Sequence, residues 1–283
     1  MTRFRLGWLP LLLAVTLIGA VGCGDDNDDD EGASSSPSTE ASDETTTSAA
    51  QSESDLSGEI IVLAAASLTE AFTEAGKAFE AEHPDTKVTF SFASSSSLAL
   101  QANQGAPADL FASANEKNMK KVTDTGNATG PTTFVNNKLA IMVVEGNPKD
   151  ITSLEDLARS DVKFVLCAPE VPCGTFGQQA LDKAGVSAKP VSFEDDVKAV
   201  VTKVSLDEVD AGITYVTDVK AAEAAGEPVE GVDVAAENNV LANYPIAMLE
   251  QSENTEVAMA FKDFILSPEG QQIMVTFGFI PAA

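Results

Sequence analysis

NKLAIMVVEGN, residues 137–147, is the point at which the order of this chain begins again. An apolar run closed by Glu-Gly-Asn reads as a buried strand followed by a turn. Upstream, EIIVLAAAS (59–67), SLTEAFTEAGKAFEAEHP (67–84), KVTFSF (87–92), LALQANQG (98–105), ADLFAS (108–113) and ANEKNMKKVTDTG (114–126) alternate strand and helix. Downstream the alternation restarts with a helix at SLEDLARS (153–160), a strand at KFVLCAP (163–169) and a helix at TFGQQALDKAG (175–185). A short strand, a helix at EDDVKAVVTKV (194–204), a strand at DAGITYV (210–216) and a helix at TDVKAAEAAG (217–226) complete the second round. Two rounds of this kind predict two α/β lobes, each a mostly parallel sheet with helices on its faces.

The end of the chain decides how the lobes connect. NYPIAMLE (243–250) supplies one more strand, and SPEGQQIMVTFGF (267–279) a last helix with Ser267 as N-cap, Pro268 at the first helical position and Gly278 at its end. That helix follows no sheet of its own, so the chain is expected to return to its first half. Lobe I is then residues 58–138 plus 246–283 and lobe II residues 139–245, joined by two crossing strands, KLAIMVV and YPIAML, with a cleft between them. No internal repeat of fixed period is visible.

Two further zones precede the lobes. Arg3 and Arg5 stand before an apolar run from Trp8 to Val21 that ends at Cys23, too short to span a bilayer, where about 20 residues are needed. Residues 1–22 therefore read as an export signal, and the small residues before Cys23 resemble a bacterial lipoprotein signal, which would make Cys23 a lipidated N-terminus. An ordinary cleaved signal with an incidental cysteine is the alternative, and either predicts an exported chain. Residues 23–57, rich in Asp, Glu, Ser and Thr, carry too little apolar surface to fold and read as a disordered tether. From Gly58 to Ala283 there are 33 acidic and 15 basic residues, a formal charge of −18, which argues against nucleic acid or an anionic membrane surface as a partner. In an exported chain the close pair Cys167 and Cys173 favours a disulfide over a metal site or two free thiols.

Ligands of open α/β sheets bind beyond the carboxyl ends of strands, so the strand-to-helix junctions are the places to search. Ser67 and Glu70 fit the S-x-x-E capping box, whose plain role is to satisfy backbone N–H groups. Ser94 to Ser97 open a helix directly after VTFSF, where free N–H groups and the helix dipole suit an anion. CAPEVPCG leads a third strand into a helix, EDDV opens another, and GITYV ends a strand on Tyr215, whose phenol can donate.

AAASLTEAF, FASSSSLA, GAPADLFASA, APEVPCG, EDDV and GITYVTD, in this order and spacing, resemble the molybdate-binding proteins of bacterial ABC transporters, from about residue 59 to 280. The resemblance implies a periplasmic-binding-protein fold of the second topological type. It implies molybdate or tungstate as the ligand and no cofactor, with molybdenum present only within the bound oxyanion. The partners implied are an ABC permease and its ATPase. Carried over position by position, it assigns oxyanion binding to Ser67, Ser95, the backbone N–H of Cys173, the backbone N–H of Val197, and Tyr215. Cys173 stands where the family motif has alanine, the one departure among these positions. The localisation implied is the outer face of the cell membrane, lipid-anchored through Cys23, with a monomer expected.

Neutral donors suit such a ligand. Molybdate is a dianion whose oxygens only accept hydrogen bonds, and charge-assisted bonds are about twice as strong as neutral ones. Glu194, Asp195 and Asp196 precede Val197 and are expected to complement the dipole of their own helix. An enzyme finds little support: the single histidine, His83, lies before a proline at a helix end, and no nucleophile and base assemble around it. A carrier for another tetrahedral oxyanion such as sulfate is the nearer alternative. A ferric-ion carrier is farther, because iron favours clustered Tyr, His and carboxylate ligands and the two tyrosines, Tyr215 and Tyr244, are not expected to be adjacent, Tyr244 being expected to pack at the crossing strand.

Overall fold

The computed structural model describes residues 56–282, so the export signal, Cys23 and nearly all of the acidic tether lie outside the described residues. The first half runs β1 (Gly58–Ala65), a 3-10 turn (Ala66–Leu68), α1 (Thr69–Glu82), β2 (Thr86–Ala93), α2 (Ser95–Asn103), β3 (Leu110–Ala112), α3 (Glu116–Thr123) and β4 (Ala128–Asn137). The second runs β5 (Leu139–Val144), a 3-10 turn (Leu154–Ala158), β6 (Phe164–Cys167), α4 (Pro172–Lys183), β7 (Ser192–Glu194), α5 (Val197–Ser205), β8 (Ala211–Tyr215), α6 (Val216–Ala224) and β9 (Val229–Asp233). The chain closes with β10 (Ala242–Leu249), α7 (Thr255–Leu266), α8 (Pro268–Thr276) and β11 (Ile280–Pro281).

Two mixed sheets result, ordered β11-β4-β10-β3-β1-β2 and β7-β6-β8-β5-β9. In the first, β1 pairs parallel with β2 and β3, while β10 is antiparallel to β3 and β4. In the second, β6 pairs parallel with β7 and β8, while β5 is antiparallel to β8 and β9. Apart from β11, which has no counterpart, the two orders correspond strand for strand when one is reversed. In each sheet the antiparallel strand inside is the one that the chain enters straight from the other lobe.

The first crossing falls at the expected boundary of residues 138 and 139 but not along a strand, and the second falls earlier than the sequence suggested. KLAIMVV does not cross: β5 lies wholly in the second sheet, and Lys138 alone separates it from β4 in the first. YPIAML lies wholly in the first sheet, where β10 pairs with β4 from Ala242 onward, so the return occurs within residues 234–241 and lobe II ends before Ala242, not at residue 245. Asn239 ties the two crossings together. Its Oδ1 accepts from Leu139 N–H at 2.9 Å and its Nδ2 donates to Leu139 C=O at 2.9 Å. Pro245 cannot donate to an interior ladder, and the β10–β4 register shifts between Tyr244 and Pro245.

Leu68, Phe72, Ala75 and Phe79 are all fully buried, the face that the helical spacing of α1 predicted. Phe72 meets Phe134 of β4 at 5.6 Å and Phe79 meets Phe261 of α7 at 5.3 Å between ring centroids. The C-terminal helices thus pack onto the first lobe, as the chain return required. The helix expected at SLEDLARS is only a 3-10 turn. Among the described residues no helix is long and apolar enough to cross a membrane.

Candidate functional site

Five chain segments converge where strands of both lobes end. Ser67 sits in the turn after β1, Ser94 follows β2, Ala114 follows β3, Val171 to Cys173 open α4 after β6, and Tyr215 ends β8. Together with Ala66, Asp196 and Val197 they line one small cavity of about 10 Å³. A space of that size holds about one water-sized body.

Four of the five positions implied by the sequence, Ser67, Cys173, Val197 and Tyr215, meet here. Ser67 does not cap α1. The N-cap is Leu68, without a side-chain bond, because the intervening 3-10 turn moves the helix start past Ser67. Ser67 Oγ instead lies 2.8 Å from Tyr244 Oη, both buried, and Glu70, the other half of the expected capping box, pairs with Lys198. Tyr244 is therefore a buried partner of a cavity hydroxyl as well as a packing residue, its ring 6.1 Å from that of Tyr215. Sequence reasoning missed this role because only a cross-sheet neighbour, 177 positions away, reveals it.

The serine run divides its work. Ser94 is the N-cap of α2, its Oγ accepting from Ser97 N–H at 3.4 Å and donating to Ser97 Oγ at 2.9 Å, and it lines the cavity. Ser95, to which the sequence assigned the ligand contact, is buried one residue further on, where its Oγ accepts from Ala114 N–H at 2.9 Å. That bond uses a lone pair and leaves the Ser95 proton to be donated. Ala114 is a lining residue that the sequence reading passed over, although the junction between ADLFAS and the next helix marked it by the same rule.

Two helix starts supply backbone donors. In α4 the first helical residue is Pro172, which has no N–H, and Val171 offers no side-chain cap, so Cys173 carries the first N–H of the helix. A disulfide joins Cys173 to Cys167 at the end of β6. The reversal between them is so tight that a Cβ at Gly174 would collide with the carbonyl oxygens of Ala168 and Cys167. In α5, Asp196 caps by accepting from Ala199 N–H at 3.0 Å, which leaves the N–H of Val197, a cavity-lining residue two positions earlier, free of that cap. Glu194 turns away to Lys203 at 2.9 Å.

The two phenols stay protonated. Burial lifts Tyr215 well above its ordinary value, with Tyr244 and Asp218 adding to the effect, and burial likewise raises Tyr244. Tyr215 Oη is buried with no well-formed hydrogen bond among the described residues, its phenol interacting with that of Tyr244. A buried donor left unpaired costs about 1–3 kcal/mol, so its position facing the cavity marks a place where an acceptor belongs. Among the described residues no group of three His, Cys, Asp or Glu side chains is arranged to hold a bare metal ion.

A model of the family described as bacterial extracellular solute-binding protein matches residues 60–280. The chain belongs to that family. This solute-binding protein is 39% identical over 221 residues to the molybdate-binding protein ModA of Mycobacterium tuberculosis, across 78% of this chain and 84% of that one. Its fold superposes on the periplasmic molybdate-binding protein of Azotobacter vinelandii with a TM-score of 0.72 at 20% identity, covering 79% of this chain and 100% of that one. The sulfate-binding protein SubI of Mycobacterium tuberculosis matches equally well, with a TM-score of 0.72 at 20% identity over 79% of this chain and 87% of that one. These two structural matches show the two-lobed fold of the solute-binding protein and do not separate one oxyanion from another.

Proposed function

We propose that this solute-binding protein captures molybdate or tungstate outside the cytoplasm and delivers it to an ABC permease driven by an ATPase. The observation that carries the reading is the cavity itself. Ser67, Ser94, Tyr215 and the first residues of two helices, drawn from both lobes, line a single small space, among them a buried Tyr215 hydroxyl that lacks a well-formed hydrogen bond. A fully ionised tetrahedral oxyanion presents acceptors in every direction and would pair with each of these donors. In this reading Ser67 and Tyr215 donate through hydroxyls and Cys173 and Val197 through the backbone, while Ser95, which lies outside the cavity lining, is kept as a donor on the family resemblance alone. The lobes close on the ligand, and their opening at the permease releases it. The 39% identity to a molybdate-binding protein favours molybdate over sulfate, where the fold is neutral.

The role in this reading is carriage and not catalysis, which membership of a solute-binding family supports. We further propose that Cys23 is the lipid-bearing residue, that the acidic segment is a tether of roughly 30–35 Å, and that the protein works as a monomer. Thermal melts with molybdate, tungstate, sulfate, phosphate and ferric citrate test the reading. The first two should each raise the melting temperature, by the equivalent of about 2.7 kcal/mol at a concentration about 100 times the dissociation constant. A shift with sulfate alone would move the assignment to the alternative oxyanion, and no shift with any oxyanion would end it.

A further inference from the structure

Behind the neutral donors lies a layer that carries charge, and its spacing follows from helix geometry. Glu70 comes three residues after Ser67, Asp218 three after Tyr215, and Lys198 directly after Val197. Residues three apart in a helical turn share a face, so each acid lies one turn behind a cavity hydroxyl. The three side chains meet. Lys198 Nζ lies 2.9 and 2.8 Å from the two carboxylate oxygens of Glu70 and 3.1 Å from Asp218 Oδ1.

The two contacts differ in what they join. Lys198 of α5 and Asp218 of α6 belong to the second lobe, whereas Glu70 of α1 belongs to the first. Asp218 is fully buried, and its Oδ2 also accepts from Tyr215 N–H at 3.3 Å. Burial pushes the Asp218 carboxyl up from the usual carboxylate range, with Lys198 opposing; burial pulls Lys198 down, and Asp218 and Glu70 outweigh it and hold the ammonium charged. Asp218 thus fixes Lys198 within its own lobe whatever the other lobe does. Only the grip on Glu70 depends on the lobes being closed.

We propose that Lys198, anchored by Asp218, is a latch between the lobes that grips Glu70 on closure and so prolongs the life of the closed oxyanion complex. The proposal deepens the oxyanion-binding reading and rests on it. It also has a signature of sign. Glu70 places a negative charge one turn behind a site for a dianion, so if only charge mattered, Glu70→Gln would tighten binding. If the latch matters more, the same change weakens it.

The test measures molybdate affinity and release rate for the parent, Glu70→Gln and Glu70→Asp, together with their melting temperatures without ligand. Both variants should bind about 2- to 5-fold more weakly, the scale of a partly exposed ion pair, with the loss carried by faster release. High salt should speed release from the parent more than from Glu70→Gln, since only the parent has the pair to screen. Glu70→Asp keeps the charge and shortens the reach, so weaker binding there reports geometry and not charge. Equal or tighter binding by Glu70→Gln, in a variant that melts like the parent, overturns the latch alone. A parent that binds no oxyanion overturns the underlying reading and the latch with it.

Discussion

Replacing Tyr215 with phenylalanine removes one oxygen and leaves the ring where it packs, 6.1 Å from Tyr244. The hydroxyl is buried, protonated and, beyond its interaction with the Tyr244 phenol, without a well-formed hydrogen bond among the described residues, so an acceptor entering the cavity gives it a stronger partner. A hydrogen bond to a charged group contributes about 1.5–3 kcal/mol, and its loss should weaken molybdate binding by about 10- to 100-fold. At a ligand concentration about 100 times the parent's dissociation constant, a 30-fold loss cuts the stabilisation from about 2.7 to about 0.9 kcal/mol. For a folded part of this size, at about 2–4 °C per kcal/mol, the ligand-induced melting shift shrinks by about 4–7 °C. Without ligand the sign reverses. An unpaired buried hydroxyl does not stabilise, so Tyr215→Phe should melt no lower than the parent and up to a few degrees higher. Titration calorimetry and paired melts read both effects. An unchanged dissociation constant, or a ligand-free melt several degrees below the parent, would refute the reasoning by showing a hydroxyl that serves the fold and not the ligand.

Three further outcomes are expected. Ser95→Ala should weaken oxyanion binding more than Ser94→Ala, because Ser94 is occupied in capping α2 while Ser95 has a proton to donate; calorimetry showing the reverse order would move the ligand contact to Ser94. Reducing the Cys167–Cys173 disulfide should lower stability by about 2–3 kcal/mol and weaken binding by loosening the segment that presents Cys173 N–H; equal oxyanion affinity with and without reductant would remove that preorganising role. Asp156 accepts from the backbone and hydroxyl of both Thr152 and Ser153, and the Thr152 N–H contributes most to holding its carboxyl below the usual range. A carboxyl lowered on folding stabilises above its unfolded pKa and loses that contribution as pH falls through its folded pKa. Asp156→Ala should therefore cost about 1 kcal/mol at neutral pH, with parent and variant melts converging in acid.

The elements that the sequence announced clearly are those with a strong local signal. β1 and β5 are unbroken apolar runs, α1 repeats its apolar face at helical spacing, and α8 carries its own cap and proline. Most of what escaped lacked such a signal. That holds for β4, which contains Gly130 and Pro131, and for β9, an edge strand with Glu230 and Gly231 inside it, whereas α7 has an apolar face at helical spacing, Val257, Ala258, Phe261, Phe264 and Ile265, that the sequence reading passed over. Missing β4 displaced the second crossing, because the strand that pairs with β10 was not there to fix its start. The site was legible to the extent that strand-to-helix junctions can be read, which brought out Ser67, Cys173, Val197 and Tyr215. The Ser67–Tyr244 bond and the Glu70–Lys198 pair were not legible, since each depends on which sheet edge or lobe faces which. The S-x-x-E pattern was a local match that tertiary contacts overrode.

The two connections between the lobes are unequal, and that inequality governs the kind of motion available. On one side Lys138 alone stands between two hydrogen-bonded strands, while on the other the chain has residues 234–241 to spend, with Asn239 bonded to Leu139 on the first side. A one-residue joint allows swivel and almost no slide, and the longer strap follows wherever that pivot turns. Successive closures therefore retrace one arc, and donors on opposite lobes meet in the same relative register each time. Fidelity in reassembling a pocket half of whose groups ride on each moving part would then be a property of the pivot, set some distance from any atom that touches the cargo.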